Sequence, residues 1–136
     1  MKKIFFACLP LLFIFSCKKE KATCDLNNTN LVGSYKLTAA THKATASSTP
    51  VDIFALSDAC DKDNVIVLNA NGTYNYKDEG LKCDPPSDDT GAWSLNNNIL
   101  NVDNESGMVT SFNCSGMVLT VTDSDGGVTT QTFAKQ

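Results

Sequence analysis

The sequence contains no arginine and a single histidine, His42, so its 11 basic residues are all lysines. They are outnumbered by 15 Asp and Glu residues, and the net charge is -4 at pH 7. Recognition of nucleic-acid phosphates depends on clustered lysine and arginine. The composition therefore excludes a nucleic-acid-binding protein. A chain this acidic is repelled by anionic lipid surfaces unless an anchor holds it there.

Arrangements typical of catalysis and metal binding are also missing. His42 is predicted in a Ser/Thr-rich loop with no nucleophile or orienting acid arranged around it. No Gly-x-x-x-x-Gly-Lys phosphate loop occurs, and the cysteines after residue 17 are too widely spaced for a zinc site. The acidic stretches 61–63 and 123–127 lack the last ligand of a calcium loop and suit turns instead. We expect no enzyme, no metal site and no cofactor.

The N-terminus has the pattern of a secretory leader. A basic start, Met1-Lys2-Lys3, precedes an apolar run from Ile4 to Phe15 that only Pro10 interrupts. Twelve residues are too few to span a bilayer and match the apolar region of a signal peptide. Residues 1–16 are therefore predicted to be a signal peptide, and no later stretch is long enough to span a membrane.

The leader ends in a pattern that resembles the bacterial lipoprotein lipobox, with Ile14 at -3, Ser16 at -1 and Cys17 at +1. The resemblance implies cleavage before Cys17, lipid attachment to its sulfur and a lipidated tether over residues 17–30. The lipid would anchor the protein in the bacterial cell envelope, at the outer membrane. The mostly basic residues 18–21 favour its periplasmic face over the cell surface. The alternative is an ordinary secreted protein that is cleaved elsewhere.

The remainder of the chain, 31–136, predicts an all-β domain. Short apolar–polar alternations rich in Val, Thr and Tyr recur between Gly and Asn turns. Eight strands are predicted, at about 32–41, 63–69, 73–79, 91–96, 99–103, 108–114, 117–122 and 128–134.

Turn chemistry predicts how these strands pair. A two-residue turn at Asn97-Asn98 places Trp93 opposite Val102 and Leu95 opposite Leu100. A turn ending at Gly72 places Leu68 opposite Tyr74 and Ile66 opposite Tyr76. A turn at Ser115-Gly116 places Phe112 opposite Leu119 and Cys114 opposite Met117, and the 123–127 loop places Phe133 opposite Met117.

Consecutive hairpins of half-apolar strands favour an eight-stranded antiparallel up-and-down barrel, because closure covers both the edges and the apolar face. An open sandwich is the alternative. The one long connection, about 42–62, contains Phe54, Ala55 and Leu56, which are predicted to form a helical turn over the barrel mouth or a plug packed against the core.

Four cysteines remain after Cys17, and they permit three pairings in an oxidising compartment. Cys60 and Cys83 lie almost opposite each other across the hairpin centred near Asn71, so this pair is predicted to form a disulfide. Cys24 and Cys114 pair by elimination, which would draw the N-terminal segment across one end of the barrel. The alternative for the second pair is two free thiols.

Several segments in order resemble the bacterial lipocalin-like domain found on lipoproteins of the Bacteroidota. They are 31–37, 60–64, 69–74, 91–95 and the ending Gln131-Thr132-Phe133-Ala134-Lys135. The resemblance implies an up-and-down β-barrel. Lipocalins carry Gly-x-Trp near the first strand with an arginine over the Trp, whereas this chain has Tyr35 at that position and only Lys135 in place of the arginine.

Six aromatic side chains are predicted to point into the barrel: Tyr35, Tyr74, Tyr76, Trp93, Phe112 and Phe133. They either line a ligand cavity or fill the core, since an eight-stranded barrel is just wide enough for one small ligand. The first hypothesis is a monomeric, non-enzymatic envelope lipoprotein that binds a small apolar ligand. The alternative is an interaction or inhibitor module whose loops bind a protein or glycan. A cavity of a few hundred cubic ångströms would favour the first.

Overall fold

A computed structural model describes residues 24–136 of the chain. The predicted signal peptide, Cys17 and the first part of the tether lie outside the described residues. The elements are α1 (Asn28–Leu31), β1 (Gly33–Lys43), β2 (Val51–Asp52), α2 (Ile53–Leu56), a 3-10 turn (Ala59–Asp61), β3 (Val65–Leu68), β4 (Thr73–Lys77), β5 (Asp89–Asn96), β6 (Ile99–Val102), β7 (Glu105–Phe112), β8 (Gly116–Thr122) and β9 (Val128–Lys135). Both described helices are single turns, far short of the length that would cross a membrane.

The strands form one antiparallel sheet that closes on itself. Neighbours run in the order β1-β3-β4-β5-β6-β7-β8-β9, and β9 pairs back with β1 from Tyr35–Lys135 to Lys43–Val128. Closure leaves the ring without a free edge, so the predicted eight-stranded barrel is confirmed over the open sandwich. The ninth strand, β2, lies within the long connection and pairs only with Thr41 and His42 at the far end of β1.

Three of the four predicted hairpin registers are confirmed. Trp93 lies opposite Val102 and Leu95 opposite Leu100 across the Asn97-Asn98 turn. The pairs Leu68–Tyr74 and Ile66–Tyr76 follow from the turn that ends at Gly72, which has φ +81°. Phe133 lies opposite Met117, as the 123–127 loop predicted. In each case one register alone places all the apolar side chains on a single face, and that condition determines the pairing.

The predicted Ser115-Gly116 turn is wrong. Phe112 lies opposite Met117 rather than Leu119, and the turn consists of Asn113, Cys114 and Ser115. Cys114 has φ +63°, and its side chain forms a disulfide instead of lying in a strand. A bulge between Val109 and Ser111 shifts the register by one residue, so that Val109 pairs with Leu119 while Phe112 pairs with Met117.

A second bulge, between Leu37 and Ala39, changes the inward alternation of β1. Simple alternation of inward residues from Tyr35 and Leu37 predicts that Ala39 is buried, but past this bulge Ala40 is buried and Ala39 is exposed. The strand also runs two residues further than predicted. His42 is therefore not a loop residue: it lies half-buried in β1, and its Nδ1 is 3.1 Å from the Thr129 hydroxyl.

One end of the barrel, the closed end, carries the turns 69–72, 97–98 and 113–115 and is covered by residues 24–32. The Cys24–Cys114 disulfide, with Cα atoms 5.6 Å apart, ties this segment to the barrel as predicted. Leu31, the last residue of α1, has no exposed surface and enters a core with Tyr35, Trp93 and Leu100. Residues 24–30, predicted as the last part of the tether, thus pack on the barrel.

Candidate functional site

The opposite end of the barrel, the open end, carries the loops 44–64, 78–88, 103–104 and 123–127. Two adjoining cavities lie there, of about 270 Å³ and 480 Å³, which we call the first and second cavity. They share Ile66, Tyr76, Val102 and Glu105. A separate cavity of about 300 Å³ lies at the closed end, between α1, the 69–72 turn and Trp93, beside a core packed around Leu31. The two adjoining cavities at the open end reach the lower range of ligand-binding sites.

Four of the six predicted aromatic residues line these cavities. Tyr35 and Phe133 border the first cavity, Tyr74 borders the second, and Tyr76 borders both. The other two do not. Trp93 borders the separate cavity beside α1 at the closed end and donates its indole N–H to the Asn69 carbonyl (2.9 Å). Phe112 packs against the core beside the Cys114 turn.

Tyr35 forms the floor of the first cavity. Its ring is fully buried, and its hydroxyl donates a hydrogen bond to the Leu31 carbonyl at 2.8 Å. This bond satisfies a carbonyl at the end of α1, where no further helical turn follows. Burial raises the pKa of Tyr35 to about 12, so the phenol stays neutral at physiological pH.

Two carboxylates converge on Tyr74 in the second cavity. The Tyr74 hydroxyl lies 2.9 Å from Oδ2 of Asp89 and 2.8 Å from Oδ2 of Asp103. The hydrogen bond to Asp103, then burial, raises the pKa of Tyr74. In turn the Ala92 N–H, followed by the Tyr74 hydroxyl, lowers the pKa of Asp103, which is therefore ionised at neutral pH.

Asp103 reaches this position because of two local features. Its backbone has φ +49°, which turns it back over β5, and residue 91 beneath it is glycine. A Cβ at position 91 would collide with the Asp103 carboxylate. The sequence analysis missed both carboxylates, because Asp89 follows a polar, proline-containing loop and Asp103 is the polar last residue of the predicted strand 99–103. Gly91, facing Tyr74 across the sheet where an apolar side chain would be expected, is the signal that could have found them.

A polar wall beside Tyr76 is built from the loops at 62–64 and 78–88. The buried Asn64 side chain donates to the Tyr76 hydroxyl (3.2 Å) and to the Ser87 hydroxyl (3.2 Å). Asp78, also buried, accepts from the backbone N–H groups of Cys83 and Ser87. These bonds satisfy the buried polar groups of an irregular loop at the cavity wall.

The Cys60–Cys83 disulfide joins the same two loops, with Cα atoms 5.3 Å apart, as the hairpin argument predicted. Asp61 lies beside both sulfurs in the one grouping of potential metal ligands among residues 24–136. Because the sulfurs are bonded to each other, they offer no thiolate to a metal. The role of this grouping is to cross-link the two loops.

The predicted helical turn at Phe54–Leu56 is present as α2, which packs beside β1. It lines neither cavity. Leu56 is 75% exposed, and Phe54 is half-buried with the Lys62 ammonium 5.7 Å from its ring centre. α2 is thus neither a plug in the core nor a wall of the cavities.

Comparison with known proteins agrees with this geometry. A family model described as the lipocalin-like domain matches residues 31–134, which is most of the chain. The protein belongs to the lipocalin-like domain family. No curated protein and no solved structure matches the sequence. The matched range begins at the buried Leu31 and ends one residue before Lys135.

The lipocalin-like barrel replaces the expected tryptophan and arginine pair with Tyr35 and Lys135. The Lys135 ammonium lies 5.5 Å from the centre of the Tyr35 ring and donates to the Asn30 carbonyl at 2.7 Å. Gly33 makes room for it, since a Cβ there would collide with the Lys135 side chain. A cation over an aromatic ring is therefore kept with different residues, and it ties β9 to the closed end.

Proposed function

We propose that this protein is a lipid-anchored, non-enzymatic protein of the bacterial cell envelope that binds a small ligand at the open end of its barrel. The observation that carries the proposal is the pair of adjoining cavities at the open end, which share the apolar or aromatic side chains of Ile66, Tyr76 and Val102. Ligand sites combine such apolar walls with a few fixed polar groups. Here Asn64, Asp89 and Asp103 are held in place by hydrogen bonds.

The absence of catalytic design in the sequence supports a binding role. The open-end cavities hold carboxylates and phenols but no histidine, cysteine thiol or lysine that would act as nucleophile or base near neutral pH. Burial raises the pKa of Tyr35, and the hydrogen bond to Asp103 raises the pKa of Tyr74, so both phenols stay protonated at pH 7.

Binding is tested with N-phenyl-1-naphthylamine, an uncharged apolar dye whose fluorescence rises in a nonpolar site. Val102 faces both cavities, so Val102→Trp should fill much of the shared space and abolish dye binding. The matched control is Val118→Trp, on the outer face of β8 away from these cavities. Dye binding that is equal in both variants and in the parent protein would contradict the proposed site.

The proposed membrane anchor is supported by the lipobox and by the disulfide that joins the N-terminal segment to the closed end of the barrel. Cys24 is joined to Cys114 at the closed end, so a lipid on Cys17 would leave the open end facing away from the membrane. Cys17→Ser should move the protein from the membrane fraction to a soluble or uncleaved form. Unchanged partitioning into the detergent phase would contradict lipid attachment. The basic residues 18–21 support a periplasmic orientation, and closure of every barrel strand supports a monomer.

The open-end loops support interaction with a partner as a second candidate function. Val51, Leu56 and Leu81 are large apolar residues that these loops expose. Exposed apolar side chains of this kind are typical of binding surfaces. If the loops bind a protein partner, Leu56→Ser/Leu81→Ser should reduce cross-linking to that partner in the envelope and leave dye binding unchanged. Val102→Trp should leave cross-linking unchanged and abolish dye binding.

A further inference from the structure

The charges of the described residues are strongly segregated along the barrel axis. Every Asp and Glu between residues 24 and 136 except Asp25 lies in an open-end loop or at a strand residue that borders one. Four lysines share that end: Lys43, Lys62, Lys77 and Lys82. The open end is therefore strongly negative, and such a field attracts cations to the mouth and repels anions.

The charged side chains that line the cavities are all acidic, whereas the surrounding surface of the open end carries both signs. Their linings contain Asp61, Asp89, Asp103 and Glu105 and no basic side chain at all. The four lysines of this end all lie outside both linings. A ligand in these cavities thus meets negative charge that no neighbouring cation neutralises.

The contacts at Tyr74 show where this charge is concentrated. One hydroxyl lies within hydrogen-bonding distance of both Asp89 and Asp103, but a phenol has a single proton to donate. The backbone N–H groups of Thr90 and Ala92 hold the two carboxylates in place. Two fixed carboxylates beside one shared proton leave acceptor capacity that a positively charged group would satisfy.

We propose that the ligand of this site is an organic cation, an amine or quaternary ammonium compound with an apolar body. The inference rests on the proposed binding function and specifies its ligand class. The ammonium group would lie between Asp89 and Asp103 at the mouth, and the apolar body would enter towards Ile66 and Val102. Aromatic faces such as that of Tyr76 suit alkylammonium groups. A calcium ion fits less well, because it takes six to eight oxygen ligands and the carboxylates of Asp89 and Asp103 already share the Tyr74 hydroxyl.

The proposal is tested by displacing bound N-phenyl-1-naphthylamine with three probes that share an octyl chain. These are octyltrimethylammonium chloride, octan-1-ol and sodium octyl sulfate. The cation should displace the dye at about tenfold lower concentration than the alcohol, and the sulfate should be the weakest. The preference should shrink several-fold as sodium chloride rises from about 0.02 M to about 0.5 M, because salt screens exposed carboxylates.

Charge-removal variants locate the effect. Asp89→Asn/Glu105→Gln removes two carboxylates from the cavity lining and should lower the preference for octyltrimethylammonium over octan-1-ol several-fold. Asp58→Asn/Glu79→Gln is the matched control, since it removes the same charge from exposed open-end residues that line neither cavity. It should keep most of the preference.

Each other outcome overturns the inference in a distinguishable way. Equal displacement by all three probes would overturn the cationic ligand and leave the binding function intact. Equal loss in both double variants would show a diffuse field instead of a site in the cavity. Displacement by calcium chloride as strong as that by the ammonium probe would point to a metal site. Failure of the dye to bind would overturn the binding function itself.

Discussion

The two four-residue helices supply a matched test of what closes the barrel. α1 ends at Leu31 and α2 ends at Leu56, so the same residue type occupies the same helix position. Leu31 is 0% exposed among the core side chains, whereas Leu56 is 75% exposed. If α1 is an integral plug of the closed end, Leu31→Ala should destabilise the fold strongly and Leu56→Ala should not.

The expected magnitude follows from burial. Leu→Ala removes three carbon groups, which are worth about 0.8 kcal/mol each when fully buried, and the unfilled space adds a further cost. Leu31→Ala should therefore lower the free energy of unfolding by about 2.5–5 kcal/mol, and Leu56→Ala by less than about 0.5 kcal/mol. With a urea dependence of about 1–3 kcal/mol per molar, the midpoint for Leu31→Ala should fall by roughly 1–5 M.

Urea unfolding followed by far-UV circular dichroism and by the fluorescence of the only tryptophan, Trp93, measures both variants. The unfolding slope should not change, because the fold remains the same. Similar midpoints for the two variants would refute the plug. So would a Leu31→Ala variant in which the tryptophan signal alone shifts, because α1 would then be docked on a barrel that is stable without it.

Trp93, which is 7% exposed and hydrogen-bonded to Asn69, should emit at short wavelength, and Trp93→Ala should cost about 3–5 kcal/mol in urea unfolding; water-like emission would contradict its inward position. Replacing Cys24 and Cys114 by serine should lower the free energy of unfolding by about 1 kcal/mol more than replacing Cys60 and Cys83. The bonded cysteines are 90 and 23 residues apart, and a bond that closes a longer loop removes more entropy from the unfolded chain. Equal costs would refute this entropic explanation. Burial raises the pKa of Tyr35 from about 10 to about 12, so the neutral phenol contributes its full stabilisation below pH 10. This contribution is lost as the pH rises towards 12. Tyr35→Phe should therefore make the alkaline decline in the free energy of unfolding less steep in urea titrations, and an unchanged decline would contradict the burial.

The barrel was predictable because its determinants are local. Alternation of apolar and polar residues identifies each strand, and a short turn such as Asn97-Asn98 leaves one register that groups the apolar side chains. The position of the turn near Asn71 likewise predicted that Cys60 and Cys83 lie opposite each other across one hairpin. These features depend on residues within one hairpin, so no knowledge of distant contacts is needed.

Registers interrupted by a bulge were not predictable in this way. The Cys114 turn and the extra residues at Thr38 and Thr110 depend on contacts with strands or segments distant in sequence. Cys114 takes a positive φ while it is bonded to Cys24, 90 residues away. Thr38 donates to the Thr132 carbonyl on the last strand. A pattern confined to one hairpin contains no information about such partners.

The candidate site divides along the same line. Sequence alternation alone determined that Tyr35, Tyr74, Tyr76 and Phe133 face inward, because strand period and turn position are local properties. Only the tertiary structure decided that the two adjoining cavities lie at the open end, since this depends on Leu31 packing into the core at the closed end. It also decided that Asp89 and Asp103 meet at Tyr74, because three strands must close around one point before their side chains can share a hydroxyl.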